Sequence, residues 1–268
     1  MSWGRLTQAE RDAAYNNGTA VPNSAALVRE RNETSAAYRA AHAGHLDLAY
    51  AEGERCKWDI YPGTGPCLVF IHGGYWQMNR REDFAIFAEG IASHGWSVAM
   101  PGYTLAPETS LAGIVGELRT ALDWLAIHGP DHGIAGGAVI SGWSAGAQLA
   151  AMLLDHSLIR AGLAISGVYE LGPLRDTYLN AKLQLTEDEI AVFSPLRLPV
   201  VQKPMAIAYG SRELAALVDD SQKFHALRAA AHAPGALLPV AGADHFTVLD
   251  ALRAPDGELV KALLGLAA

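Results

Sequence analysis

Gly142-Trp143-Ser144-Ala145-Gly146 fits the pattern G-x-S-x-G. The pattern alone decides little in a chain with 27 glycines, but its setting is informative. The apolar run AVIS precedes it and the helical stretch AGAQLAAMLL follows it. That is a strand, a sharp turn and a helix, the arrangement that presents a serine hydroxyl at the tip of a sheet as a nucleophile. Glycines at both flanks suit a turn in which strand and helix lie too close for a β-carbon. The helix beginning beside Ser144 would direct free N–H groups and partial positive charge toward a developing oxyanion.

His72-Gly73-Gly74-Tyr75-Trp76 directly follows another apolar run, CLVFI. Glycines there let the backbone approach a ligand, so the loop can aim N–H groups at a tetrahedral intermediate. The candidate donors are the N–H groups of Gly73, Gly74 and Tyr75, joined by that of Ala145. His72 reads as a brace for the loop rather than as a base. Tyr75 and Trp76 read either as pocket lining or as core.

A serine hydroxyl needs a neighbouring imidazole to take its proton. His245, in Ala-Gly-Ala-Asp-His-Phe after the last apolar run, occupies the place for a base. His225 and His232 fall on or beside a helix, and His42 and His45 lack the further ligands a metal site needs. The acid is expected after the run MAIAY, where Glu213 sits three residues beyond Gly210. Asp219 and Asp220 compete from farther along the helix, and Asp244 adjoins the histidine too closely to bond its ring.

These residues need a scaffold. From residue 55 onward, short apolar runs alternate with helical stretches: Lys57–Tyr61 as an edge strand, Cys67–Ile71 as a buried one, then Ser97–Met100, Ala138–Ser141, Gly162–Ser166, Met205–Tyr209 and Ala236–Val240. Phe84–His94 and Glu213–Ala231 read as helices, and Leu111, Ile114, Val115, Leu118, Leu122 and Leu125 mark one stripe of another. Two short helices finish the chain. Such alternation predicts an α/β fold, a mainly parallel sheet with helices on both faces and its chemistry beyond the carboxyl ends of the strands. Residues 1–50 read as an N-terminal helical arm on a single domain spanning residues 1–268, because they are too poor in large apolar side chains to make their own core.

Composition agrees with an enzyme of this kind. Half of the 268 residues are hydrophobic, 18% are charged and the net charge is −8, which argues against a nucleic-acid binder. Two cysteines, Cys56 and Cys67, form no CxxC motif and read as reduced thiols. The N-terminus lacks an apolar signal core and no run approaches a membrane span, so a cytoplasmic protein with no membrane partner is expected. No metal motif is present, and no cofactor is expected.

HGGYW at 72–76, PGYTLAPE at 101–108, GWSAG at 142–146, SGVYEL with PL at 166–174, FSPL at 193–196, GSREL with DDSQKF at 210–224 and DHF at 244–246 together resemble the α/β-hydrolase fold. Within that fold they resemble the arylformamidase (kynurenine formamidase)-like and carboxylesterase branch near the hormone-sensitive lipases. The resemblance spans about residues 55–250. It implies a triad of Ser144, Glu213 and His245, an oxyanion hole from the N–H groups after His72 and of Ala145, and a cap excursion over residues 167–200. A 34-residue span between two central strands is also long for a simple crossover. Two departures stand out: Glu213 fills a position where Asp is common, and Tyr75 replaces the third glycine of HGGG.

The expected activity is hydrolysis of a small ester or amide, foremost an aryl formamide, with a carboxylesterase as the alternative and a non-catalytic binding protein as the remote one. A formyl group needs almost no acyl pocket, which leaves Trp76, Trp143 and Tyr103 to line the leaving-group ring, while Tyr103 and Tyr169 read equally as substrate contacts or as core. A homodimer is compatible with the sequence.

Overall fold

The computed structural model describes residues 3–267. Its eight strands are β1 (His45–Ala49), β2 (Lys57–Tyr61), β3 (Cys67–Ile71), β4 (Ser97–Pro101), β5 (Ala138–Trp143), β6 (Ile159–Ile165), β7 (Met205–Gly210) and β8 (Leu237–Val240). They form one sheet in the order β1-β2-β4-β3-β5-β6-β7-β8. The pairs β1–β2 and β2–β4 are antiparallel, and every pair from β3–β4 to β7–β8 is parallel.

The α-helices are α1 (Gln8–Ala13), α2 (Asn17–Ala20), α3 (Ser24–Ala41), α4 (Glu89–Ala92), α5 (Leu111–His128), α6 (Ala145–Met152), α7 (Asn180–Leu183), α8 (Glu187–Phe193), α9 (Ala215–Ala230) and α10 (Glu258–Ala267).

The central strands are apolar on both sides because both faces of the sheet are covered. Alternation along β3 shows this residue by residue. Cys67, Val69 and Ile71 enter one core with the α5 stripe and α6, while Leu68 and Phe70 enter another with Phe84, Phe87 and α10. The predicted stripe of α5, from Leu111 to Leu125, is buried throughout. Among the described residues, no helix is long and apolar enough to cross a membrane. Cys56 and Cys67 are both free and buried.

Three local expectations are corrected. Lys57–Tyr61 is not an edge strand, because His45–Ala49 pairs outside it. The arm is therefore not wholly helical: the segment HLDLA forms β1, with the alternating burial of a strand whose one face meets solvent. Phe84–His94 is a 3-10 segment, Arg81–Ala88, followed by the short α4. Tertiary packing wins over helical propensity there, since seven of the eight residues of that segment are buried.

The helix α3 lies on the 3-10 segment and is held there largely by polar contacts. Ser35 Oγ donates to the Asp83 carbonyl at 2.9 Å and accepts from the Ile86 N–H at 3.3 Å. Asp59, 1% exposed, pairs with Arg39 at 2.8 Å and Arg81 at 3.1 Å. This buried ion cluster ties the arm to β2.

Candidate active site

Ser144 stands between β5 and α6 with φ 57° and ψ −121°. A non-glycine residue held there stores strain of about 1–3 kcal/mol, maintained by the surrounding packing. The turn is tight enough that a β-carbon at Gly146 would lie 2.1 Å from the Ile71 carbonyl oxygen. Ser144 Oγ is 3.1 Å from His245 Nε2, and His245 Nδ1 is 2.9 Å from Glu213 Oε2. The three residues, separated by up to 101 positions, thus form one continuous hydrogen-bonded chain beyond the carboxyl ends of β5, β7 and β8.

The Glu213 side chain is fully buried, and the residue lies in the turn after β7, ahead of α9. Its Oε1 accepts from the Gly210 N–H at 2.7 Å and from Ser166 Oγ. Two donors on Oε1 thus hold the carboxylate in place and leave Oε2 to meet the imidazole. The other acids do different work. Asp220 accepts the Tyr169 and Glu170 N–H groups at 2.7 and 3.1 Å, bracing the start of the 167–200 excursion. Burial raises its carboxyl to about 6. Asp219 pairs with Lys223 at the surface. Asp244 accepts from the Phe246 and Thr247 N–H groups, both at 2.9 Å, and so shapes the loop that carries His245.

The His72–Trp76 loop runs alongside. Gly74 adopts φ 123°, and a β-carbon at Gly73 would meet the Trp143 carbonyl oxygen at 2.5 Å and Ser144 Cβ at 3.0 Å. Only glycine permits that approach. The N–H groups of Gly74 and Tyr75 have no acceptor among the described residues. Ala145, at the first position of α6, has an N–H that no intrahelical carbonyl can satisfy. His72 is 1% exposed and braces this loop: Nδ1 lies 2.9 Å from the Gly73 carbonyl, and its ring stacks on Tyr103 at 4.3 Å. Burial drives the imidazole down to about 3, so His72 is neutral at ordinary pH.

A cavity of about 350 Å³ opens on Ser144 and His245. Of the aromatic residues expected to wall it, Trp143 does so; its Nε1 also donates to the His245 carbonyl at 2.8 Å. Trp76, Tyr103 and Tyr169 do not line it. Each is 1% exposed or less and occupies the core: Trp76 donates to Gln148 at 3.1 Å, Tyr103 donates to the His72 carbonyl at 2.9 Å, and Tyr169 stacks on Phe224 at 4.4 Å. The sequence shows an aromatic residue but not which face of its strand or loop is covered.

Most of the remaining wall comes from outside the motifs. Asn17, Val28 and Arg31 reach the cavity from the arm, Met78 and Asn79 from the turn after the glycine loop, Tyr178 from the excursion, and Phe246 from beside the histidine. Tyr75 connects the two sides. Its hydroxyl donates to the Tyr15 carbonyl at 2.7 Å, so it can only accept from Asn17 Nδ2 at 3.1 Å. No local signal marks Asn17 or Arg31; a charge on a helix and an Asn-Asn-Gly turn ordinarily read as solvated.

The sheet order, the turn at Ser144 and the helices on both faces define an α/β-hydrolase. The family model BD-FAE matches residues 60–157. A kynurenine formamidase of Salmo salar is 30% identical over 240 residues, 82% of this chain and 80% of that protein. One of Danio rerio is 27% identical with the same coverage. A protein from a Silicibacter species, provisionally described as a thioesterase, superposes with a TM-score of 0.84 at 28% identity, covering 95% of this chain and 99% of its own. The chain belongs to the kynurenine formamidase family of α/β-hydrolases, and it is a hydrolase of the arylformamidase or esterase type.

Proposed function

We propose that this protein is a serine hydrolase that deformylates aryl formamides of the N-formylkynurenine type. The observation that carries the reading is the unbroken chain from Ser144 Oγ through His245 to Glu213 at one end of a cavity. Ser144 Oγ attacks the formyl carbon while His245 Nε2 takes its proton. The carbonyl electrons move onto oxygen, where the N–H groups of Gly74, Tyr75 and Ala145 receive the charge, with that of Gly73 adjacent. Collapse breaks the C–N bond, and the imidazolium returns its proton to the departing amine. Water, activated by the same imidazole, then cleaves the formyl ester, releasing formate and restoring the serine. Glu213 holds the imidazole's tautomer and stabilises its charged form. A cytoplasmic setting, where thiols stay reduced, fits the free Cys56 and Cys67.

Activity on N-formylkynurenine beside short p-nitrophenyl esters tests the assignment, together with fluorophosphonate labelling. Deformylation with labelling at Ser144 is expected. Ester cleavage without deformylation would make the protein a carboxylesterase, and absence of labelling at Ser144 would overturn the serine mechanism.

A further inference from the structure

Among the described residues lining the cavity, Arg31 is the one side chain with a permanent charge, and none is a carboxylate. That stands out in a chain of net charge −8. The residue is 9% exposed. Its Nε and Nη2 donate to Asn32 Oδ1 at 3.1 and 2.9 Å, and Nη2 also donates to Asn79 Oδ1 at 3.3 Å. Nη1 makes no hydrogen bond among the described residues and stays open to solvent.

The acids nearby are engaged elsewhere. Asp83 accepts from the Arg80 N–H at 3.1 Å and from Arg80 Nη2 at 3.2 Å, and Glu30 faces Arg253 at 3.7 Å. Burial lowers the guanidinium to about 10, which leaves it cationic at neutral pH.

A largely buried cation with no carboxylate in salt-bridge contact is costly, the charge of Asp83 offsetting only part of the burial, and a ligand can supply the rest. The group is also held rigidly. Its plane covers Phe84 at 4.2 Å, and Asn79, which it contacts, donates to the Gly73 carbonyl at 3.1 Å. Arg31 is therefore fixed relative to the loop beside Ser144, and its free edge remains to meet an anion.

We propose that Arg31 is the specificity-determining residue of this cavity and that it holds a carboxylate on the leaving-group half of the substrate. The proposal rests on the hydrolase reading above for the word substrate, but the subsite itself is a statement about binding. A neutral aryl formamide would leave Nη1 unpaired; one bearing a carboxylate at the ring's far side would pair it. A charge-assisted hydrogen bond to a largely buried guanidinium gives a preference of about tenfold or more.

Two measurements test this. The first is kcat/KM on a formanilide whose side chain ends in a carboxylate, against the same compound ending in a primary carboxamide. The ratio is expected to favour the carboxylate about tenfold or more, mainly through KM, to collapse toward one in Arg31→Met and to survive in part in Arg31→Lys. The second is calorimetric titration of 4-phenylbutanoate and 4-phenylbutanamide into Ser144→Ala protein, with and without Arg31→Met. It needs no turnover, so a preference for the carboxylate that depends on Arg31 would uphold the subsite even if the formanilides were not cleaved. Should Arg31→Met fail to fold, Arg31→Lys and the ligand pair on the parent protein decide. Equal binding of acid and amide, or a preference that persists without Arg31, overturns the proposal.

Discussion

The wall that carries Ser144 and the wall that carries Arg31 face the same cavity, yet they are assembled differently. On the Ser144 side, β5 is buried along its whole length and α6 buries every residue from Ala145 to Ala150. The proposed reacting groups there follow β5, β7 and β8 of the parallel part of the sheet, and their hydrogen bonds run from one to the next. On the Arg31 side, the 18-residue α3 buries only Arg31, Ser35 and Tyr38. Its attachment depends on side-chain hydrogen bonds, the Asp59 ion cluster and the cover of Arg31 over Phe84. Chemistry demands fixed geometry, which close-packed strands supply. Recognition of a leaving group tolerates a more polar wall that a few contacts hold in place. The arm is thus a part of the site and not merely a covering of the domain.

The sharpest test of this division removes the proposed nucleophile. Ser144→Ala should lower kcat about 10⁵–10⁶-fold while leaving the fold intact, because alanine relieves nothing that the elbow requires. Single-turnover assay with circular dichroism checks both halves of that statement. A residual rate within tenfold of the parent would show that the strand-tip wall is not the reacting one.

Glu213→Gln should cost about 10³–10⁴-fold in kcat with little change in KM, since the amide keeps the Gly210 contact but misdirects the imidazole tautomer. A rise in KM equal to the loss in kcat would instead give Glu213 a binding role. By contrast, Arg31→Met should act mainly through KM, and that opposition between the two variants is the comparison in kinetic form.

The buried His72 yields a prediction about pH. Its pKa is about 3 in the fold against an ordinary 6.5, so the unfolded chain binds the extra proton between those values. Its contribution to stability is therefore full above pH 6.5 and is lost as pH falls toward 3, by an amount on the order of a few kcal/mol. Asp220 opposes it over part of this window. Its carboxyl is raised to about 6, so the stability it contributes is present below pH 3.8 and lost as pH rises through 6. Denaturant titrations of His72→Gln and Asp220→Asn between pH 7 and 4 should show slopes changed in opposite senses. Parallel slopes would refute the assignment.

The smallest expected effect belongs to the link between the walls. Tyr75→Phe strands the Tyr15 carbonyl and Asn17 Nδ2 and should cost about 1–3 kcal/mol of stability. It should raise KM more than it lowers kcat if the arm is the recognition wall. An unchanged KM would mean that Asn17 is placed independently of Tyr75.

Much of the strand-tip wall was legible in the residues. Gly142–Gly146, the glycines after His72 and the spacing of Glu213 and His245 after apolar runs each answer a local constraint: a turn without room for Cβ, a loop in contact with its neighbour, a strand end. The strand HLDLA was not legible as one because it has one partner and one wet face, and it follows a long helix in a segment otherwise free of strands. The aromatic lining misled for a related reason. Trp76, Tyr103 and Trp143 all sit near strand ends, and nothing in their order says that two of them turn into the core while the third faces the cavity.

The sequence by itself determined the alternation of strands and helices, and hence the parallel sheet, because burial on both faces writes itself into consecutive apolar residues. It also determined which residue types stand at the ends of the strands. Only the tertiary structure decided that α3 returns to the mouth of the site and brings Arg31 into a cavity without carboxylates. That placement depends on contacts between segments some 48 to 58 positions apart, Ser35 with Asp83 and Asn17 with Tyr75, and such pairings leave no periodic trace in either segment.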